Sequence, residues 1–136
     1  MAKTNTAPFP QTPRTKTAVI TGATAAADDA PANTVELLTA GLDGAIVTKV
    51  SAMPRATATA SNLVLFLVKQ GTTEKRMVSS ALMAAHTVSA TAATPRTSFE
   101  YTAIDPLRLE AGDKLFAGTM VALAGGIVFT AQFTDY

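Results

Sequence analysis

Two strand-like runs near the carboxyl end constrain this chain more than any other stretch. Residues 106–136 read P-L-R-L-E-A-G-D-K-L-F-A-G-T-M-V-A-L-A-G-G-I-V-F-T-A-Q-F-T-D-Y. In the second run Ile127, Phe129, Ala131 and Phe133 alternate with Val128, Thr130, Gln132 and Thr134. Successive side chains of a strand point to opposite faces, so this run is a half-buried strand with its aromatic set inward. The first run, residues 114–123, is apolar on both faces and is expected to lie deeper in a sheet. Ala124-Gly125-Gly126 joins the two, a Gly-rich connection of the kind that closes a β-hairpin.

The same punctuation runs through the rest of the chain. Residues 17–21 make a short strand ended by Gly22, and residues 23–33 a loop, because Asp28, Asp29 and Pro31 break the alanine run. Residues 34–39 make a strand with Val35 and Leu37 inward, and Gly41 and Gly44 supply the following turn. Residues 45–53 form a longer strand stopped by Pro54. In residues 62–70 Leu63, Leu65 and Leu67 alternate with Val64, Phe66 and Val68, so both faces of this strand are expected to be buried. Gly71-Thr72-Thr73-Glu74 turns the chain into a hairpin partner over residues 75–82. Met83-Ala84-Ala85-His86 fits either a continued strand or one helical turn. After an Ala/Thr-rich loop with Pro95, residues 98–104 make a strand with Phe99 and Tyr101 inward. Asp105-Pro106 ends it, Leu107 and Leu109 anchor a short segment, and residues 110–113 turn into the final pair. About eight strands, with no convincing long helix and no crossover helices, predict an all-β fold, an antiparallel β-sandwich of jelly-roll type.

Residues 1–16 differ from this domain of residues 17–136. Pro8, Pro10 and Pro13 among Thr, Asn and Lys favour extended backbone that cannot enter the middle of a sheet. Such an arm has few groups with which to hold on: Phe9 is its large apolar side chain, and Lys3, Arg14 and Lys16 are its cations. Alone it is expected to be mobile.

Composition narrows the function. Among 136 residues, 11 basic side chains face 10 acidic ones, which argues against a nucleic-acid binder with its basic face. Charged residues are 15% of the chain, against about a quarter in ordinary soluble domains, a deficit that suits either a surface packed against copies of itself or a partner, or an Ala-rich composition from a GC-rich source. The chain has no cysteine, which removes disulfides and thiolate metal sites. The first residues lack the apolar core of a secretory signal, and no run approaches the roughly 20 apolar residues of a membrane helix. Synthesis in a cytoplasm and no membrane partner are therefore expected.

No residue set carries a catalytic motif. His86 is the sole histidine, with neither a Gly-x-Ser-x-Gly elbow nor a second histidine to build a triad or a metal site. Asp28-Asp29 lacks the pattern of a calcium loop and is expected to be solvated. The glycine pairs at Gly41/Gly44 and Gly125/Gly126 have no neighbouring lysine or helix start and are turns rather than phosphate cradles. Glu100, Glu110 and Asp113 could supply paired carboxylates for glycoside chemistry, but with no Trp and with Tyr101 and Tyr136 alone the aromatic platforms of a sugar site are missing. Lys75-Arg76 beside Glu74 is expected to be a charged hairpin tip, and Met53, Met77, Met83 and Met120 to fill the core. No enzyme activity, cofactor or metal is expected.

The layout as a whole resembles a family. The Pro/Thr-rich arm is followed by T-V-E-L-L-T-A-G-L-D-G-A-I-V-T-K-V, L-V-L-F-L-V, L-M-A-A-H-T-V, P-L-R-L-E-A-G-D-K-L and a final strand pair. This resembles small proteins encoded with the capsid genes of tailed bacteriophages and related gene-transfer-agent particles, over residues 34–136. The resemblance implies a virion structural protein, a head-decoration or cement protein that binds the outer surface of the major capsid protein shell. A homo-oligomer follows, a trimer if it uses the threefold positions of a capsid lattice, with Lys3, Phe9, Arg14 and Lys16 anchoring the arm to the shell or a neighbouring copy. The alternatives are a tail or head–tail connector component, and a receptor- or carbohydrate-binding module of a phage fibre.

Overall fold

Short runs of alternating or wholly apolar residues separated by turns have no way to bury themselves except as strands in stacked sheets. The computed structural model describes residues 12–25 and 28–136, and all regular structure among them is β. The strands are β1 (Thr12–Ile20), β2 (Val35–Thr39), β3 (Ala45–Pro54), β4 (Ser61–Val68), β5 (Arg76–Met83), β6 (Thr97–Ser98), β7 (Leu107–Leu109), β8 (Lys114–Thr119) and β9 (Ile127–Asp135). One sheet runs β1-β9-β3-β6, with β7 also on β3, and the other runs β2-β8-β4-β5. Strand pairing is antiparallel throughout both sheets. Both β6 and β7 lie on the same side of β3, at Ser51–Ala52 and at Ala45–Val47, so they are two pieces of one broken strand. Each sheet then has four strand positions, and the chain passes back and forth between them. This is an antiparallel β-sandwich with jelly-roll topology.

The core lies between the sheets. Ile127, Phe129, Ala131 and Phe133 on β9 face Leu63 and Leu65 of β4 and Leu115 and Ala117 of β8, all essentially without exposure. The Phe129 ring packs on Phe99, centroids 6.0 Å apart at a tilt of 35°. Each such side chain contributes about 1.5–3 kcal/mol by leaving water.

The expected hairpin over residues 114–134 does not form. β8 sits in the middle of one sheet between β2 and β4, and β9 in the middle of the other between β1 and β3. Residues 120–126 carry the chain across: the Met120 N–H donates to the Asn62 carbonyl at 3.0 Å and the Leu123 N–H to Thr21 at 2.8 Å. The Gly-rich turn exists, with the Gly126 N–H on the Leu123 carbonyl at 2.9 Å, but it lies within this crossing. A turn signal marks where the chain bends, whereas pairing is decided by which strand buries the inward face. Gly41–Gly44 and residues 110–113 likewise connect one sheet to the other.

Other boundaries move as well. β1 begins at Thr12 rather than at residue 17, so Thr12 to Lys16 belong to the sheet, in register with Asp135 to Ala131. Pro13 is tolerated because β1 is an edge strand, where a missing N–H can face outward. The strand expected over residues 98–104 shrinks to Thr97–Ser98, since a local turn, with the Thr102 N–H on the Asp105 carbonyl at 3.2 Å, ends it early. Phe99 is buried as expected, Tyr101 only half so. In β2 a bulge between Glu36 and Leu38 turns Leu38 inward beside Leu37 and leaves Val35 half-buried. Residues 83–86 continue the strand: Ala58 and His86 exchange backbone bonds of 2.9 Å each way, extending the β4–β5 ladder.

A third layer covers the outside of the second sheet. Val64, Phe66 and Val68 are buried yet stand outside the main core, on the opposite face of β4. The β1–β2 connection lies over them. The Thr24 N–H donates to the Thr119 carbonyl at 2.8 Å, and the buried Thr24 side chain rests above Gly118. Further along, the Lys75 N–H donates to Asp29, its Nζ donates to Thr34 Oγ1 at 2.8 Å and stands 4.6 Å over the Phe116 ring, and Arg76 pairs with Asp29 at 3.3 Å. The expected charged hairpin tip is thus a clasp for this loop.

Candidate functional site

β1 carries Arg14 and Lys16, the two expected anchor residues among those described. They pair with Phe133 and Ala131, so both point to the core side of the sheet. At an edge strand that side opens into the mouth between the sheets, here a cleft of about 490 Å³ lined by Arg14, Lys16, Glu36, Leu38 and Gly41 among others. Arg14 is engaged within the fold. Its Nη1 donates to Asp135 Oδ2 at 3.0 Å and its guanidinium lies 5.7 Å from the Phe133 ring centre. Asp135 is buried, and its Oδ1 accepts the Gly41 N–H at 3.1 Å. Lys16 is exposed and has no carboxylate within ion-pair distance among the described residues. Lys3 and Phe9 lie outside the described residues.

The three carboxylates that could have made a sugar site are divided between two places. Asp113 is buried, with 1% of its side chain exposed, and takes Lys69 Nζ at 2.7 Å and the N–H groups of Gln70 and Glu110 at 3.0 Å each. Burial alone would raise its pKa, but the Lys69 ammonium and these two N–H donors outweigh it and hold the carboxyl below its ordinary value. The bond to Asp113, opposed by partial desolvation and helped by Glu110 at 3.2 Å, raises Lys69 above its own. This network ties the β7–β8 turn, where the chain changes sheets, to the β4–β5 hairpin turn within the second sheet. Glu100 belongs elsewhere: it accepts the Ser79 hydroxyl at 2.9 Å, and burial together with this carboxylate pushes the Tyr101 phenol up. His86 is half-buried in the extended ladder with Nε2 shielded and unpartnered. Asp28 and Asp29 are exposed as expected.

The unoccupied feature is apolar. On the outside of the second sheet Leu82 pairs across from Asn62, and Asn62 Nδ2 reaches Met120 Sδ at 3.4 Å. Leu82, Asn62 and Met120 thus form a row across β5, β4 and the end of β8. Leu82 is 73% exposed, Met77 two rows away 51%, and Met120 and the adjoining Val121 39% and 38%. Of the methionines expected in the core, Met83 is buried and Met53 half-buried, while Met77 and Met120 are on the surface. Strand periodicity finds two apolar faces here and gives no sign that one of them looks outward; the free row at Leu82 lies where the covering loop ends.

No protein-family model matches the chain, and no curated protein matches it. Among solved structures it is similar to the one described as "Structure of Eiger TNF from S. frugiperda", over 94% of this chain and 96% of that chain, at 10% sequence identity and a TM-score of 0.49. The topology above stands without this likeness, and no residue or partner is carried over from it.

Proposed function

We propose that this protein is a structural component of a tailed-phage virion that decorates the outer surface of the head and stabilises it. The observation that carries this reading is the row of Leu82, Asn62 and Met120 on the outside of the second sheet, whose two apolar ends are exposed. Exposed apolar side chains standing together suit a protein contact, and the resemblance to capsid-gene neighbours supplies the partner, the major capsid protein. Its work is contact area across joints between capsid subunits: a molecule that binds the assembled shell and not its separated parts shifts the balance toward assembly. Lys16 on β1, in the open mouth of the sandwich, and Lys3 and Phe9 upstream are the proposed points of contact with the shell.

The test uses heads purified from a phage lacking this protein, to which the full chain is added back. Co-sedimentation and a higher temperature of head rupture are expected, both lost in the Leu82→Lys variant. Heads that bind none of the protein, or rupture at an unchanged temperature with it bound, would overturn the proposal.

A further inference from the structure

Beyond Arg76 and one bulge, the free edge of β5 carries less protection than the other edges of the sandwich. A sheet edge is a row of unpaired N–H and C=O groups, which proteins protect with proline, charged side chains, bulges or short strands. β1 has Pro13, Arg14 and Lys16; β2 is five residues long with Glu36 and a bulge; β7 is three residues with Arg108; β6 is two. β5 is the last strand of its sheet, and the Ala58–His86 bridge lengthens it. From residue 77 to residue 86 it reads M-V-S-S-A-L-M-A-A-H, without one proline, lysine, arginine or carboxylate. A bulge opposite Leu65 and Phe66 is its one irregularity. Among the described residues the backbone of this stretch bonds only to β4 and Ala58, leaving the far side open. Beside it lies a cavity of about 430 Å³ between residues 81–84 and residues 95–98. Three consecutive residues at the end of β5 and the next one, Ala84, line it.

We infer that β5 is a docking edge for β5 of a second copy, paired antiparallel about a two-fold axis near Ser80. The two four-stranded sheets then become one continuous sheet. The occupant is a second copy because the edge is complementary to itself. In an antiparallel self-pairing Ser80 meets its own counterpart, Ser79 meets the counterpart of Ala81, and no like charges are brought opposite one another. A strongly acidic or basic partner strand would find no opposite charge over residues 77–83, and Arg76 at the start of β5 is already paired with Asp29. The exposed apolar side chains of Met77 and Leu82 flank the joint and lose water as it closes. A closed two-fold contact, unlike the threefold cluster expected from a capsid lattice, can form in free solution with no shell as template.

Light scattering on the full chain at hundreds of micromolar tests this, together with amide hydrogen exchange. A mass of twice 14.0 kDa is expected, with the outward amides of residues 77–83 slowed in a concentration-dependent way. Ser80→Lys puts two like charges at the axis and is expected to give a monomer with unchanged circular dichroism and faster exchange at β5; Thr17→Lys, on the β1 edge, should remain a dimer. Should Ser80→Lys not fold, Ser80→Glu, which also puts two like charges at the axis, takes its place. A wild-type chain that stays at 14.0 kDa would overturn the inference. So would an oligomer that survives the substitution at Ser80 with β5 exchange unaltered. Neither result depends on heads, so the decoration proposal stands or falls separately.

Discussion

Arg14 Nη1 and Asp135 Oδ2 stand 3.0 Å apart, tying the start of the first strand to the end of the last. The two partners are not equal. Arg14 is 42% exposed, and its loss costs what a surface pair contributes, under about 1 kcal/mol. Asp135 also accepts the Gly41 N–H at the turn into β3 and is buried. Asp135→Ala leaves that donor and the guanidinium without an acceptor and is expected to lower stability by about 1–3 kcal/mol. Urea unfolding of the two single variants should therefore show the larger shift for Asp135. Equal shifts would mean that the ion pair, and not the turn, is what the carboxylate supports.

Asp113 makes stability depend on acid. Its folded pKa lies below the ordinary carboxyl value, because Lys69 and two N–H donors overcome the effect of burial. Such a group contributes stability that is fully present above the unfolded value of about 3.9 and is lost as pH falls from there through the folded value. Tm is expected to drop as pH falls below about 4, and Asp113→Asn should be less stable at neutral pH but show a flatter acid limb. Lys69 adds the opposite limb: its stabilisation is complete below the ordinary lysine value of 10.5 and fades as pH rises through the raised one. An acid limb identical in wild type and Asp113→Asn would assign it to other carboxylates.

What the sequence made legible was local. Alternation along residues 127–134 gave β9 its inward set, and the two apolar faces of residues 62–68 did mark a strand buried on both sides. The partners were not legible. The turn at Gly125-Gly126 looked like a hairpin because a bend between two apolar runs has the same residues whether the runs pair or part to different sheets. Nor did Val64 and Phe66 reveal that their cover is a loop rather than a sheet, since burial leaves the same apolar pattern whatever does the burying. Arg14 read as a free cation because its partner Asp135 lies at the far end of the chain. The apolar surface at Leu82 was hidden for the same reason as the loop: an outward apolar row and an inward one have one period.

Gly44 is where the chain turns from the second sheet into β3, and two separate effects fix it as glycine. Its φ is +92°, and a Cβ there would stand 2.6 Å from the Leu109 carbonyl oxygen, a backbone atom that cannot swing aside. Gly71 in the β4–β5 turn has a similar φ of +82° with open space around it. Gly71→Ala therefore meets the conformational cost alone, about 1 kcal/mol, while Gly44→Ala adds the clash and should cost about 1–3 kcal/mol more. Thermal unfolding of both variants separates the two contributions. Equal losses would show that the β3–β7 contact yields without cost.

The loop over the second sheet can be lifted by one methyl group and set back by removing another. A Cβ on Gly118 would stand 2.7 Å from Thr24 Cγ2, with Val64 and Phe66 side chains 3.4 Å away on either side. Gly118→Ala must push Thr24 outward, because the buried strands beneath cannot give, and overpacking of this kind costs about 1–3 kcal/mol. Amides of residues 23–25 and 28–34 should then exchange faster than those of β4. Thr24→Ser deletes only the offending methyl, so the double variant is expected to recover most of the loss, a positive coupling between residues in contact. Additive losses in that cycle would mean that Thr24 does not hold the loop against Gly118, and that the cover on Val64 and Phe66 depends instead on the clasp at Lys75 and Asp29.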